Sequence, residues 1–301
     1  MSKIIEVCLP GTGGMMPTEN RWLSCCWIEY KGKALLIDCG EGTQIALRKA
    51  RCKISHLNTL LITHVHADHI AGLPGLLLTL GNCGRTTPLT IAGPPGLIKI
   101  VNSLTVISPV LPYSLKITEL NEEEKVEESG LTISILPLSH GIPCLGYSIT
   151  LKRKPIFNPL KAYELRVPVR EFKSLHEGQC VYLQDGRIIE PKDVLDGERK
   201  PIKVCYFTDT KFIDTISPFA YGADLLISEG MYGENDKHQM MQEKGHMIFS
   251  ESAEIARKAA VKQLWLTHYS PALIKPEMYI DNAREIFPNS VAAHDGIRMS
   301  L

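Results

Sequence analysis

The stretch "LLITHVHADHIAGL", residues 60–73, decides how this sequence is interpreted. It opens with apolar and β-prone residues typical of a buried strand. Three histidines and one aspartate then follow within six positions: His64, His66, Asp68 and His69. Imidazole nitrogens and a carboxylate are ligands that suit zinc, or manganese where more oxygens take part. A single histidine in such a place is most often structural, but four grouped donors favour a metal site.

Further ligands must come from other segments, because this short stretch cannot complete two coordination spheres. Three polar residues elsewhere also follow strand-like runs: His140 in "LPLSH", Asp209 in "YFTDT" and His268 in "WLTHY". Folds usually build sites from loops at the ends of rigid strands. These three residues are therefore the candidates that would complete the site.

Composition excludes several classes of protein. The chain has 301 residues, 44% of them hydrophobic, which suffices for one large domain or two small ones. Its 33 basic and 33 acidic residues balance, so a globally basic nucleic-acid binder is not indicated, although a local basic patch remains possible. Nine scattered cysteines without a C-x-x-C pair argue against a disulfide framework and predict a cytoplasmic protein. No apolar run approaches ~20 residues, so we expect no membrane span.

The order of apolar segments indicates an α/β architecture. The first half is mostly strand-like, and the sequence from Lys203 onward alternates between strand and helix. Mixed sheets with helices outside are the simplest arrangement. Two local expectations are a strand over residues 131–136 that "PLSHGIP" ends, and a helix in "PEMYIDNAREIF", residues 276–287.

Residues 152–200 interrupt this pattern with many prolines and charges. Long insertions in compact domains usually carry function or form an arm. Basic residues are concentrated in the first part of the segment, with aromatic residues between them, a composition suited to phosphates and bases. The candidate contacts are Lys152, Arg153, Lys154, Lys161, Arg166, Arg170 and Lys173. The alternative is a solvated hairpin that packs on a partner subunit.

Several motifs together resemble a known family. "THVHADH" is similar to the T-H-x-H-x-D-H signature of the metallo-β-lactamase superfamily. Within it, further stretches resemble the ribonuclease Z family, which matures tRNA 3′ ends. These are "DCGEGTQ" (38–44), "HADHIAGLPGLL" (66–77), "HGIPCLGY" (140–147) and "LTHYSP" (266–271). The resemblance spans nearly the whole chain.

The resemblance implies a four-layer αβ/βα sandwich, formed as a single domain over 1–301 with an inserted flexible arm at 152–200. It also implies two zinc ions per chain at one edge of the sandwich, with manganese or iron as possible replacements. One ion would be held by His64, His66 and His140. The other would be held by Asp68, His69 and His268, and Asp209 would bridge the two.

Catalytic roles follow from the same resemblance. Asp68 would orient the attacking water. His246, in "KGHM", resembles the family's proton-donating histidine, and Glu229, in "LISEG", resembles the glutamate that orients it. Taken alone, Glu229 could instead be a surface or capping carboxylate, and His246 a loop residue without function.

The leading hypothesis is a metal-dependent phosphodiesterase that removes 3′ extensions from tRNA precursors, acts as a homodimer and grips the tRNA with its arm. The alternative is a hydrolase of small phosphodiesters, such as cyclic nucleotides, or of other small esters. Two departures from the family pattern favour that alternative: Met231 near Glu229 and Met247 after His246. The long basic arm, although it lacks the Gly-Pro tip that the family often carries, favours tRNA. A catalytically silent RNA-binding module is disfavoured, because all seven ligand positions are intact.

Overall fold

A computed structural model of the protein describes residues 4–108, 110–121 and 125–301. The strands are β1 (Ile5–Gly11), β2 (Cys25–Tyr30), β3 (Lys33–Ile37), β4 (Leu57–Leu61), β5 (Leu89–Gly93), β6 (Leu115–Glu119), β7 (Lys125–Glu128), β8 (Leu131–Ser139), β9 (Pro143–Leu151), β10 (Val181–Tyr182), β11 (Ile188–Ile189), β12 (Ile202–Phe207), β13 (Leu225–Glu229), β14 (Leu264–Thr267), β15 (Ser290–Ala292) and β16 (Ile297–Ser300). The helices are α1 (Thr43–Lys49), α2 (Ala67–Ile70), α3 (Leu73–Asn82), α4 (Leu97–Thr105), α5 (Pro159–Glu164), α6 (Phe172–His176), α7 (Pro191–Val194), α8 (Ile216–Ala220), α9 (His238–Lys244), α10 (Phe249–Lys258) and α11 (Asp281–Arg284). Within these ranges, no helix combines the length and apolarity that a membrane crossing requires.

Two large mixed sheets dominate the described residues. The first has the strand order β16-β1-β2-β3-β4-β5-β6, and the second has the order β15-β14-β13-β12-β9-β8-β7. In the first sheet β1 pairs antiparallel with β2 and β16, whereas β3 to β6 run parallel. In the second sheet β12 to β15 run parallel. The predicted mixed sheets are thus confirmed.

Helices cover one face of each sheet. Trp27 of β2 belongs to the same buried cluster as Leu76 of α3. In the second sheet Leu266 of β14 shares a cluster with Ala253 of α10. The two sheets also contact each other directly, because the Tyr147 hydroxyl of β9 donates to the carbonyl of Ile62, just after β4. Strands buried on both faces explain the continuous apolar runs in the sequence. The arrangement is the expected α/β sandwich.

Parallel strands bring their carboxyl ends to one edge of each sheet. The residues after β4, β12 and β14 are the ones that the sequence singled out as ligands: His64, Asp209 and His268. Glu229 is the last residue of β13, and His140 directly follows β8. The fold therefore delivers polar side chains from both sheets to their ends.

Residues 150–202 form a second compact unit, and the remainder of the chain forms the first. The second unit contains α5 to α7, β10 and β11. It has its own small core, in which Ala162, Leu175 and Val194 are fully buried. The interpretation of this segment as an arm that serves the site stays a prediction.

Candidate metal centre

Three imidazoles form the first group of donors, called here the first trio: His64, His66 and His140. His64 Nε2 lies 3.0 Å from His66 Nδ1, and His140 Nε2 lies 3.3 Å from the same atom. Asp209 Oδ1 is 3.9 Å from His64 Nε2 and 3.6 Å from His140 Nε2. Four donor atoms from three segments therefore converge on one point.

The second trio consists of Asp68, His69 and His268. Asp68 Oδ2 lies 3.4 Å from His69 Nε2 and 3.6 Å from His268 Nε2, and these two nitrogens are 3.1 Å apart. Asp209 Oδ2 is 3.2 Å from each imidazole nitrogen. Asp209 therefore presents one oxygen to each trio, which is the geometry of a bridging carboxylate.

Asp38 and Thr63 orient two of the ligand imidazoles. The buried Asp38 carboxylate lies 2.9 Å from His69 Nδ1 and accepts from the Thr63 hydroxyl, which in turn lies 3.1 Å from His64 Nδ1. A carboxylate only accepts hydrogen bonds, so His69 Nδ1 carries a hydrogen toward Asp38, and Nε2 is the nitrogen that faces the second trio. Burial lowers the pKa of His64 to about 2, which keeps that imidazole neutral. Both rings are prepared to act as ligands.

His140 is oriented in the same way by a backbone carbonyl. Its Nδ1 lies 3.0 Å from the oxygen of Gly245, which can only accept, so Nε2 faces the first trio with a lone pair. In addition, the buried Asp209 Oδ2 has no hydrogen-bond partner among the described residues. Lone pairs that face one another and an orphaned carboxylate oxygen are costly unless a cation lies between them. The residues present therefore fit a metal ion.

Backbone strain marks the same site. Asp38, Asp209 and His268 have φ values of 65°, 56° and 59°, in the left-handed region that side-chain-bearing residues rarely adopt. Such conformations cost about 1–3 kcal/mol each and persist where the surroundings fix them. The strain indicates that the need to direct these side chains into the site, rather than local backbone preference, decides the conformations.

Glu229 and His246 lie beside the two trios. Glu229 is fully buried, accepts from the backbone N–H of Thr210 at 2.6 Å through Oε1, and lies 2.8 Å from His246 Nδ1 through Oε2. The His246 ring centroid is 4.8 Å from that of His140. Burial lowers the pKa of His246, but the charge and hydrogen bond of Glu229 outweigh it and raise the pKa to about 9. His246 is therefore protonated at neutral pH and can donate a proton.

Glycine loops line this edge. A Cβ on Gly14 would lie 2.7 Å from Cε1 of His268, and a Cβ on Gly40 would lie 2.0 Å from the carbonyl oxygen of Asp68. The backbone N–H of Met15 donates to Asp68 Oδ2 at 2.8 Å. Glycine is needed at both positions because the backbone approaches the ligand residues directly.

The structure brings all seven predicted ligands together, with Glu229 and His246 next to them; their roles stay a prediction. The predicted basic arm residues all lie in the second unit. Sequence reasoning missed two supporting groups. Thr63 precedes the first histidine of the motif and could have been noticed there, whereas no side-chain signal marks the carbonyl of Gly245.

Comparison with known proteins adds independent findings. A family model described as "Anti-Pycsar protein Apyc1" matches residues 5–104. A curated relative, ribonuclease Z of Lachnospira eligens, is 45% identical over 299 residues, covering 99% of this chain and 98% of the relative. Two solved structures are also similar: the metallo-beta-lactamase fold protein YhfI from Bacillus subtilis (TM-score 0.70, 22% identity) and human tRNase Z, short form (0.69, 23%). Each of these two comparisons covers 98% of both chains.

The two sheets and the paired trios at their edge define a metal-binding protein of the metallo-β-lactamase fold. The two solved structures support the fold. The curated relative, at 45% identity, also shows the family. The chain belongs to the ribonuclease Z family. The family resemblance in the sequence is thereby confirmed.

Proposed function

We propose that the protein is a metal-dependent endoribonuclease that removes 3′ extensions from tRNA precursors, with two zinc ions at the paired trios. The observation that carries the proposal is Asp209, whose two oxygens face different trios. Membership in the ribonuclease Z family supports the choice of substrate. When bound, a pair of ions lowers the pKa of water and neutralises phosphate oxygens. The same donors also accept manganese or iron.

The residues of the chain supply the rest of the chemistry. Asp68 is partly exposed and would accept a hydrogen bond from the attacking water and so orient it. His246 would give its proton to the leaving oxygen of the cleaved phosphodiester. Its Nδ1 is held by Glu229, so Nε2 is the atom that would donate. Glu229 fixes the ring and stabilises its charged form.

The departures beside Glu229 and His246 do not favour the small-substrate alternative, because they are packed inside the protein. Met231 and Met247 are buried, and the backbone N–H of Met231 donates to the carbonyl of Met247 at 3.0 Å. Ser228 is buried and shares a hydrogen bond with Ser252. These substitutions alter the packing behind Glu229 and His246, while the two functional side chains keep their contact.

The arm segment would supply the contacts to tRNA. Three of its predicted basic residues pair with carboxylates: Lys154 with Glu177 at 3.0 Å, Lys161 with Asp196 at 2.8 Å and Arg170 with Glu171 at 3.3 Å. The other four have no ion-pair partner in the part of the chain that the structure describes: Lys152, Arg153, Arg166 and Lys173. We assign phosphate contacts to these four first, because their charge is not already neutralised. Homodimer assembly and a cytoplasmic location stay predictions from the sequence.

A pair of substrates tests the proposal. The zinc-loaded protein should cleave a 3′-extended tRNA precursor at a single position and should also hydrolyse a bis-aryl phosphodiester, and a chelator should abolish both reactions. Endpoints are read by gel mapping of the RNA and by absorbance for the aryl ester. Hydrolysis of the aryl ester without tRNA cleavage would favour the small-substrate alternative and defeat the proposal.

Charge removal tests the arm. The triple change of Lys152, Arg166 and Lys173 to glutamine should raise the KM for tRNA about tenfold or more and lower the slope of log affinity against log salt by about 1 per lost phosphate contact. The rate with the aryl phosphodiester should not change.

A matched control exists in the same segment. Changing Lys154, Lys161 and Arg170 to glutamine removes the same number of lysines and arginines, but from existing ion pairs. Its effect on KM should be smaller. If both triple variants raise the KM equally, total charge rather than specific contact explains the effect, and our assignment is wrong.

A further inference from the structure

The loop that lines the second trio contacts two of its three members, His268 and Asp68. This glycine loop, residues 11–15, places Gly14 against the His268 ring and donates the Met15 N–H to Asp68 Oδ2. That oxygen is also the Asp68 atom that lies nearest to the ligand nitrogens of His69 and His268. The position of the loop therefore sets the positions of two ligands at once.

Backbone hydrogen bonds hold the glycine loop from two sides. The N–H groups of Thr12 and Gly13 both donate to the carbonyl of Trp22, at 3.0 and 2.8 Å. On the other side, the Gly14 N–H donates to the carbonyl of Tyr269 at 2.9 Å, and the Tyr269 N–H donates to the carbonyl of Thr12 at 3.0 Å. Tyr269 directly follows His268, so these hydrogen bonds join the loop to the chain that carries this candidate ligand.

Asp295 connects the glycine loop to the segment around Trp22. Its Oδ1 accepts from the Thr12 hydroxyl at 2.7 Å, and its Oδ2 accepts from the Trp22 backbone N–H at 2.7 Å. Thr12 is buried, so its hydroxyl depends on this partner. Asp295 comes from the turn before β16, more than 270 residues further along the chain. A carboxylate from the C-terminal region thus clamps the N-terminal loop.

The glycine loop does not support the first trio. His64 is oriented by Thr63, and His140 by the carbonyl of Gly245. Among the described residues, no hydrogen bond joins the glycine loop to either of these two histidines. A change in the loop should therefore act on one trio and leave the other in place.

We propose that Asp295 is a positioning residue for the second trio: it holds the glycine loop in register and, through Gly14 and Met15, fixes His268 and Asp68 for one of the two ions. The inference rests on the proposed two-ion centre. It extends that proposal by assigning to the second trio a support that the first trio does not share, so that one ion can be weakened alone.

Asp295→Asn is the direct test, because it keeps the shape of the side chain and removes one acceptor. The amide oxygen can accept from only one of the two donors, and the NH₂ group then faces the other. Metal-free protein is titrated with zinc by calorimetry. We expect wild type to bind two equivalents, and the variant to keep one unchanged while its other equivalent weakens about 10–100-fold, as for other groups that orient ligands.

Two further variants keep the test decisive. Thr12→Val removes the donor side of one bond, so it should weaken the same equivalent, and the double variant should lose less than the product of the two single effects, since both break one contact. Asp281→Asn, which neutralises an exposed carboxylate at the start of α11, should change neither equivalent.

The outcomes separate this inference from the proposed function. Equal weakening of both equivalents, or no change in either, would overturn the positioning role while leaving the two-ion centre in place. A wild-type protein that binds only one equivalent would overturn the two-ion centre and this inference with it. Hydrogen exchange of the amides of Gly13 to Met15 should become faster in Asp295→Asn, and unchanged exchange would also contradict the proposal.

Discussion

Asp209→Asn should lower kcat/KM by about a thousand-fold or more with both the tRNA precursor and the aryl phosphodiester, which corresponds to the several kcal/mol that a metal centre contributes. Oδ1 faces the first trio and Oδ2 faces the second. The loss of either oxygen therefore removes a donor from one of the two trios. An amide keeps one oxygen and presents NH₂ in place of the other. Asp209→Ala, which removes both, should be at least as severe. Steady-state rates with both substrates measure the effect, together with the metal content of the purified variants.

Asp214→Asn is the matched control for this change. Asp214 is an exposed carboxylate five positions further along the chain, and its neutralisation should leave rates and metal content as in wild type. Full activity in Asp209→Asn with two bound equivalents of metal would show that the bridging assignment is wrong. A loss of tRNA cleavage alone would also contradict it, because the ions serve both substrates.

His246→Ala should lower the rate of tRNA cleavage about 10²–10⁴-fold, the usual contribution of general acid catalysis. The loss with a bis-(nitrophenyl) phosphodiester should be much smaller, because a nitrophenolate leaves readily without a proton. The ratio of the two losses therefore reports proton donation and separates it from a general disturbance of the site. Zinc titration should still give two equivalents, since His246 belongs to neither trio.

Glu229→Gln should show the same substrate dependence with a smaller loss of tRNA cleavage. The amide can still hold the ring of His246, but it no longer provides the charge that stabilises the imidazolium. His238→Gln serves as the control, because His238 is an exposed histidine at the start of α9. Equal losses with both substrates in His246→Ala would mean that the residue supports the site in another way and is not the proton donor.

The convergence of the seven candidate ligands could be predicted from the sequence because these residues stand at the ends of apolar, strand-like runs. The run "LLIT" precedes His64, and similar short apolar runs precede Asp209 and His268. Such runs are typical of buried strands. Parallel strand ends then bring such residues together without detailed knowledge of the packing.

Groups that act through the backbone could not be predicted. The carbonyl of Gly245 reaches His140 only because Gly245 adopts a φ of +80° at the end of α9, and a Cβ there would lie 3.0 Å from His140 Nδ1. Asp295 lies at the opposite end of the chain from the loop that it contacts. Its role depends on β16, which the sequence pattern did not indicate and which pairs with β1. Such contacts depend on tertiary structure that single-sequence patterns do not contain.

Local boundaries were wrong where tertiary pairing decides them. The strand expected over residues 131–136 continues to Ser139 through Pro137. Among the described residues, Ser134 is the last residue of β8 toward its carboxyl end that pairs with β7, so a proline further on interrupts no bond of that pair. The helix expected over residues 276–287 is instead a 3₁₀ turn, Pro276–Tyr279, followed by α11. Tyr279 packs closely against Gly233, where a Cβ would lie 2.2 Å away, and this contact accompanies the tighter turn.

The left-handed backbone at Asp38, Asp209 and His268 limits how this protein can be made more heat-resistant. Glycine at these positions would relieve strain of about 1–3 kcal/mol each, which makes them attractive targets for a stabilising library. Each such change would, however, remove a ligand or the carboxylate that orients one. A selection for thermal tolerance alone would therefore tend to produce variants that are more stable but inactive. These three codons should be held fixed in any such experiment.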